Sequence, residues 1–307
     1  MHAKTNVLLI GATGMLGARI AEALLAKPQA ELTLLVRKET LVSGAKKAQL
    51  DHLVRRGAAL LEGDLADHAS LVAATRGIDV VVSAVQGMRE TIVDGQLALL
   101  DAARRNGVRR ILPSDFAIDL FKLEPGSHPM LDWRREADEA IARSGLEHVH
   151  VLNGAFHEVV VAPFFQMFDL EAGTAAYWGD EEVPFDVTTV ADTALYTAEA
   201  ALDPMLPSGK LSVAGDQITV KEAIRAVERA LDRRFETRHL GSVDDLERWI
   251  ADTKATDPDF WAPIAAQYQW AMVSGRAKLT DLANGRYPEI RPLSFAAFMA
   301  ARVPPGA

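Results

Sequence analysis

Residues 6–25 read NVLLIGATGMLGARIAEALL, and the fold follows from how this stretch divides. Val7 to Ile10 form a short continuous apolar run, the pattern of a strand buried on both faces. Gly11, Gly14 and Gly17 come next, and from Met15 to Ala26 the apolar residues recur with a helical period. Strand, glycine turn and helix start together predict a dinucleotide corner. Without side chains the backbone can turn tightly and approach a pyrophosphate, and the first helical turn offers it free N–H groups. The spacing is G-x-x-G-x-x-G, one residue longer in its first gap than the usual G-x-G-x-x-G. The corner alone leaves open whether the dinucleotide is consumed or sensed.

The same rhythm continues outward. Short β-rich runs appear at NVLLIG, LTLLVR, AALLEG, DVVVSAV, RRILPS and HVHVL. Between them lie helical stretches such as Met15–Ala26, Ala69–Thr75, Thr91–Asn106 and Arg134–Ser144. Six strands alternating with helices predict an α/β fold, a Rossmann-type doubly wound parallel sheet. After about residue 154 the rhythm breaks. AFHEVVVAPFFQMF is apolar and irregular, and TAAYWGDEEVPFDVTTV reads as short strands with turns. Lys221–Leu231 and Asp244–Thr253 are expected to be amphipathic helices, the second capped by Ser242 or Asp244. Asp257-Pro258, Ala262-Pro263 and the Pro288/Pro292 region interrupt the C-terminal part. The expected division is a dinucleotide-binding domain over 1–153 and a smaller α+β substrate lobe over 154–307, from which some segments return to the Rossmann sheet. No Gly/Ser linker separates the halves, so the lobe is expected to pack directly on the first domain.

Composition narrows the function. The net charge of −9 argues against a general nucleic-acid binder, and no Lys/Arg run with interleaved aromatics reverses that. With no cysteine, disulfides, thiolate metal sites and Cys nucleophiles are excluded. No stretch approaches the roughly 18 apolar residues of a membrane span. The first apolar run is too short for a secretory signal. A cytoplasmic protein is the simplest expectation.

The second strand bears on which dinucleotide is bound. An NAD site commonly places an acid on the ribose about 20 residues past the glycines, whereas an NADP site places an Arg near the 2′-phosphate. Here LTLLVRKET ends its apolar run at Arg37 and Lys38, and two cations favour a phosphate. Glu39 is the counter-evidence, one residue past the pair and free to point into solvent. Other strand ends should line the same cleft: Asp64 after the third strand, Ala84, Val85, Gln86 and Gly87 after the fourth, and Ser114, Asp115 and Phe116 after the fifth. Asp64 reads equally well as the cap of a helix beginning near His68.

These segments together resemble the isoflavone reductase-like branch of the NmrA-like atypical short-chain dehydrogenases. That branch includes pinoresinol–lariciresinol reductases, phenylcoumaran benzylic ether reductases and eugenol synthases. The matching stretches are GATGMLG, LTLLVRKET, GDLADHASLVAA, DVVVSAV, QLALLDAARRNGVRRILPSDF and, more loosely, VLNGAF and PFDVTTVADTALYTAEAALDP. They cover most of the chain to about residue 235. The resemblance implies NADPH as hydride donor. It maps Gly11, Thr13, Gly14 and Gly17, with Met15 and Leu16 between them, onto the pyrophosphate loop, and Arg37 onto the 2′-phosphate contact. Asn153 and Phe156 match the segment near the nicotinamide, and Ser114 and Phe116 match a PSEFG-like strand end.

The catalytic residue departs from the pattern. None of the four tyrosines has a lysine four residues on, where Glu181, Ala200, Met272 and Arg291 stand, so the usual Tyr–Lys chemistry is disfavoured. The resembled branch instead has a proton-handling lysine at the start of the helix before the sixth strand. That position falls on Arg134 in HPMLDWRREADEAI. Arginine stays charged; it can stabilise an anion but cannot exchange a proton. Arg134 reads equally as this clamp or as a solvated helix charge beside Arg135, Glu136 and Asp138. Asp132, His128 and His157 are candidates for proton handling. His148 and His150 share a strand face, but without a third ligand they read as ordinary strand residues and no metal is expected. Phe116, Phe156, Phe164, Phe165 and Trp178 would suit an aromatic ligand. The expected activity is NADPH-dependent hydride transfer to a small aromatic or phenolic molecule of lignan, benzylic ether, quinone or quinone-methide type. The alternative is an NmrA-like redox sensor that binds the dinucleotide without turnover. A small aromatic substrate is the expected partner, and a homodimer is left open.

Overall fold

The opening strand, β1 (Thr5–Ile10), lies inside a seven-stranded sheet in a computed structural model that describes residues 4–42, 44–257, 260–261 and 263–302. With β2 (Ala30–Val36), β3 (Ala59–Glu62), β4 (Val80–Ser83), β5 (Arg110–Leu112) and β6 (Glu147–Leu152), the strand order is Gly209–Ser212, β6, β5, β4, β1, β2, β3. β1 pairs in parallel with both β2 and β4, and the pairs β2–β3, β4–β5 and β5–β6 are parallel too. The chain runs outward from β1 to β3 and then returns to β4 on β1's other side. That reversal opens a crevice beyond the carboxyl ends of β1 and β4, where ligands bind in sheets of this kind. The six expected strands are present, and the seventh, Gly209–Ser212, comes from the C-terminal half.

The connecting helices are α1 (Met15–Leu25), α2 (Gly44–Arg55), α3 (His68–Ala74), α4 (Gly95–Arg105) and α5 (Pro129–Arg143). Val7, Leu8 and Leu9 of β1 and Val80, Val81 and Val82 of β4 are fully buried, as a sheet covered on both faces requires. Three local features differ from expectation. α3 is capped by Asp67, whose side chain accepts from the N–H groups of Ala69 and Ser70, while Asp64 accepts from Ala66 N–H. The helix expected over Thr91–Asn106 opens as a π-helical turn at Glu90–Asp94 before α4. α5 starts at Pro129, five residues ahead of Arg134, because proline suits a first helical turn and Asp132 there complements the helix dipole.

The chain divides into two compact units that interleave in sequence. The first comprises residues 1–116, 130–151 and 193–211; the second comprises 117–129, 152–192 and 212–307. The second contains two three-stranded sheets. One joins Asp216–Ile218, Phe185–Thr188 and Ala155–Phe156; the other joins Glu236–Gly241, Thr174–Trp178 and Phe168–Asp169. Its longer helices are Val220–Leu231, Val243–Thr256, Ile264–Val273 and Phe295–Arg302. Ser242 caps the second of these in a capping box with Asp245, settling the choice between Ser242 and Asp244. Pro258 and Ala262, two of the expected breaks, lie outside the described residues.

Candidate active site

In the first unit, the glycine corner is built from close backbone approaches. Gly11 has φ +90°, and a Cβ there would lie 2.2 Å from Ala84 O at the end of β4. A Cβ on Gly17 would lie 2.1 Å from Gly11 O, so α1 can pack on the loop only through glycine. Gly14 caps α1 with no side-chain hydrogen bond, and the first turn carries no acidic residue. The helix therefore presents its first N–H groups to the loop with nothing negative beside them. Met15 is exposed, whereas the Leu16 side chain is buried, so Leu16 can contact a ligand only through its backbone. Thr13 is half-buried in the same loop. A cradle that rejects a Cβ at Gly11 and at Gly17, next to a helix N-terminus, fits a pyrophosphate.

At the end of β2, Arg37 and Lys38 are both exposed. Arg37 Nε stands 3.2 Å from Glu39 Oε1, so Glu39 pairs with the arginine rather than pointing away. Ala84 and Val85 are half-buried at the end of β4, and Gln86 is exposed. Ser114, after β5, donates its hydroxyl to Val85 O at 2.6 Å, tying the two strand ends together. Phe116 adopts φ +31°, a strained value for a side chain of this size.

Arg134 stands in this neighbourhood and is buried. Its Nε donates to Ser114 O at 2.9 Å and its Nη1 to Met130 O at 2.8 Å. The solvated-charge alternative for Arg134 is therefore ruled out. No hydrogen bond among the described residues takes up its Nη2, so a fixed, permanently cationic fork keeps donors to spare. Asp132 is half-buried in the first turn of the same helix.

Two residues passed over in the sequence join this end of the sheet. His150 on β6 has Nδ1 2.7 Å from Asp115 Oδ2 and 3.6 Å from Asp138 Oδ1. His150 is thus no ordinary strand residue. The available signals were the four-residue step from Arg134 to Asp138 and the alternation of HVHVL.

The remaining candidates belong to the second unit. Asn153 is fully buried; its backbone carbonyl accepts from Thr188 Oγ1 at 2.6 Å, and its side-chain Oδ1 has no partner among the described residues. Phe156 is half-buried in the small sheet, opposite Thr188. His157 has no exposure, both ring nitrogens lack partners among the described residues, and its ring packs against Phe295 and Phe298 at centroid distances of 5.4 and 5.2 Å. Burial lowers its pKa to about 4. A neutral imidazole wedged among aromatic rings argues against His157 as a proton donor. His128 is also buried, edge-on to Tyr268. Phe165 is core, while Phe164 is exposed and Trp178 half-buried.

Comparison with known proteins agrees with this architecture. The NmrA-like family matches residues 3–267. Pinoresinol reductase 2 of Arabidopsis thaliana is 33% identical over 254 residues, 79% of this chain and 80% of the relative. Phenylcoumaran benzylic ether reductase PT1 of Pinus taeda is 28% identical over 267 residues, covering 82% of this chain and 83% of the relative. Among solved structures, AtPrR2 with NADP+ and (+)pinoresinol superposes with a TM-score of 0.86 at 27% identity, over 98% of this chain and 99% of that one. With a strand–glycine–helix corner, a parallel sheet in this strand order and a family match across most of its length, the chain belongs to the NmrA-like family.

Proposed function

We propose that this protein is an NADPH-dependent reductase that transfers hydride to a small aromatic or phenolic molecule of lignan, benzylic ether, quinone or quinone-methide type. The observation that carries the reading is Arg134: a buried guanidinium, anchored by two backbone carbonyls, with Nη2 uncommitted at the end of β5. The names of its relatives support the same chemistry: pinoresinol reductase, phenylcoumaran benzylic ether reductase and a complex with NADP+ and (+)pinoresinol.

NADPH, when bound, supplies the hydride. The chain's own part is to bind, orient and neutralise. Backbone N–H groups of Met15, Leu16 and Gly17, at the start of α1, would hold the pyrophosphate in the cradle of Gly11, Thr13 and Gly14. Arg37, with Lys38 beside it, would exchange Glu39 for the 2′-phosphate, a doubly charged and better-fitting partner for its fork. Ala84, Val85, Gln86 and Ser114 form the wall of the crevice; the family resemblance would assign Asn153 and Phe156 to the nicotinamide end of the cofactor. Reduction of a quinone methide or of an opening benzylic ether leaves charge on oxygen. Arg134 stabilises that charge without giving up a proton, because its position is fixed before the reaction begins. The proton comes from solvent or through Asp132, and His157 takes no part. The second unit serves as the substrate lobe. We place the protein in the cytoplasm, as a monomer or homodimer; no helix among the described residues is long and apolar enough to cross a membrane.

The test is NADPH oxidation at saturating protein with a panel of lignans, benzylic ethers and quinones. Substrate-dependent oxidation with at least one class supports the reading. Tight NADPH binding with no oxidation across the panel favours a redox sensor instead.

A further inference from the structure

Behind Arg134, in the first unit, lies a buried ionisable cluster that the reductase reading does not use. Asp115 follows Ser114 at the end of β5, Asp138 lies one helical turn beyond Arg134 on α5, and His150 projects from β6. Their exposures are 2%, 2% and 5%. One polar atom from each lies within 4.8 Å of the others. His150 Nδ1–H donates to Asp115 Oδ2 at 2.7 Å. Asp138 is the anomaly: neither of its carboxylate oxygens has a hydrogen-bond donor among the described residues.

An ionised carboxylate buried without donors, beside a second carboxylate, is too costly to persist when a proton can relieve both problems. We propose that Asp115 and Asp138 share one proton, and that Asp138 is the positioning residue that ties α5 to the end of β5 and so holds Arg134 against the Ser114 carbonyl. The functional half of this proposal rests on the reductase reading, since it takes Arg134 as the anion clamp. The protonated Asp138 donates its O–H to Asp115, whose other oxygen accepts from His150. Arg134 and Ser114 lie on the two elements joined by this bond. Removing the proton sets two negative charges against each other across that junction.

The groups facing Asp138 are Asp115 from the end of β5, His150 from β6, and Arg134 and Arg135 from α5 itself. Burial pushes the Asp138 carboxyl well above its usual range, and the Asp115 charge and hydrogen bond push it the same way. The two arginines pull it down without prevailing. A divalent cation could gather the same three side chains. Two guanidiniums already supply positive charge there, and the hydrogen-bonding distance from His150 to Asp115 favours a proton.

The test uses Asp138→Asn, which keeps a neutral donor, and Asp138→Leu, which does not. Thermal unfolding of the full chain is followed from about pH 4 to pH 9. A carboxyl raised by folding makes the native state lose stability as pH climbs from the ordinary carboxylate value towards the folded one. The wild type should therefore fall below Asp138→Asn by a margin that widens with pH and then levels. Parallel curves would overturn the shared proton, as would one equivalent of bound divalent metal that Asp138→Asn loses. This arm needs no turnover, so it stands apart from the reductase reading. In turnover, Asp138→Asn should stay within a few-fold of wild type, while Asp138→Leu lowers kcat by roughly tenfold or more with the NADPH KM unchanged. Equal kcat in the two variants would overturn the positioning role.

Discussion

At the scale of single residues, Arg134 and Arg37 place the same side chain in opposite settings, and the proposed function gives them different work. Arg134 is buried, and its fork is fixed by the Ser114 and Met130 carbonyls. Losing a fixed donor to a developing oxyanion typically costs about 100- to 1,000-fold in rate. Arg134→Ala should lower kcat by roughly 100-fold with little change in NADPH affinity, measured by steady-state kinetics and equilibrium binding. Arg134→Lys keeps the charge but loses the two-carbonyl fork; its kcat should fall between the two. A Lys variant with unchanged turnover would remove this position from the catalytic apparatus. Arg37 is exposed, and its pairing with Glu39 is a surface ion pair worth about 0–1 kcal/mol. Arg37→Ala should raise the Kd for NADPH roughly tenfold and leave NADH binding nearly unchanged. Glu39→Gln should tighten NADPH by removing the competitor. Arg37 could be read from the sequence because a strand end is a local feature. The Asp115–His150–Asp138 cluster left only partial signals, because its members come from two strands and a helix that meet only on folding.

At the scale of elements, the legible parts were those whose pattern is local. β1 to β6 announce themselves as short apolar runs, and the glycines as a turn between strand and helix. α2 was not singled out: it buries only Leu50 and Leu53 among twelve largely polar residues, so its apolar stripe is faint. The start of α5 was placed late because Pro129 and the mixed MLDW segment hide the period. The edge strand Gly209–Ser212 carries too short an apolar run to be read as part of a sheet formed mostly by the N-terminal half. Two variants test the elements. Gly17→Ala would place a methyl 2.1 Å from Gly11 O, forcing α1 off the loop; NADPH binding should be lost and the melting temperature should fall. Arg110, at the start of β5, is 1% exposed and donates to the carbonyls of Ala200, Asp203 and Leu206, with Glu147 as counter-charge. Arg110→Met should destabilise by roughly 3 kcal/mol in denaturant unfolding, because the carbonyls lose their donors.

At the scale of the whole molecule, two buried groups give stability opposite dependences on pH. His157, in the second unit, has its pKa lowered to about 4 by burial, against an ordinary value near 6.5. A base held neutral by folding contributes stability that is complete above the unfolded value and is lost as pH falls from 6.5 towards 4. The loss is about 3 kcal/mol, and His157→Leu should flatten that acid limb in thermal melts. Asp138, in the first unit, acts in the other direction. Neither effect decides what the molecule does with its dinucleotide. The proposed function assigns binding to the glycine corner and Arg37 and consumption to Arg134, and consumption can be traced atom by atom. The direct measurement is a reaction with NADPH carrying deuterium at the transferable position, analysed by mass spectrometry of the aromatic product. For a lignan, benzylic ether or quinone methide the account predicts a single deuterium on the carbon that was reduced, and for a quinone loss of deuterium from the NADPH to exchangeable hydroxyl, with yield falling sharply in Arg134→Ala. Bound NADPH that keeps its deuterium in the presence of every lignan, benzylic ether and quinone tried would contradict it.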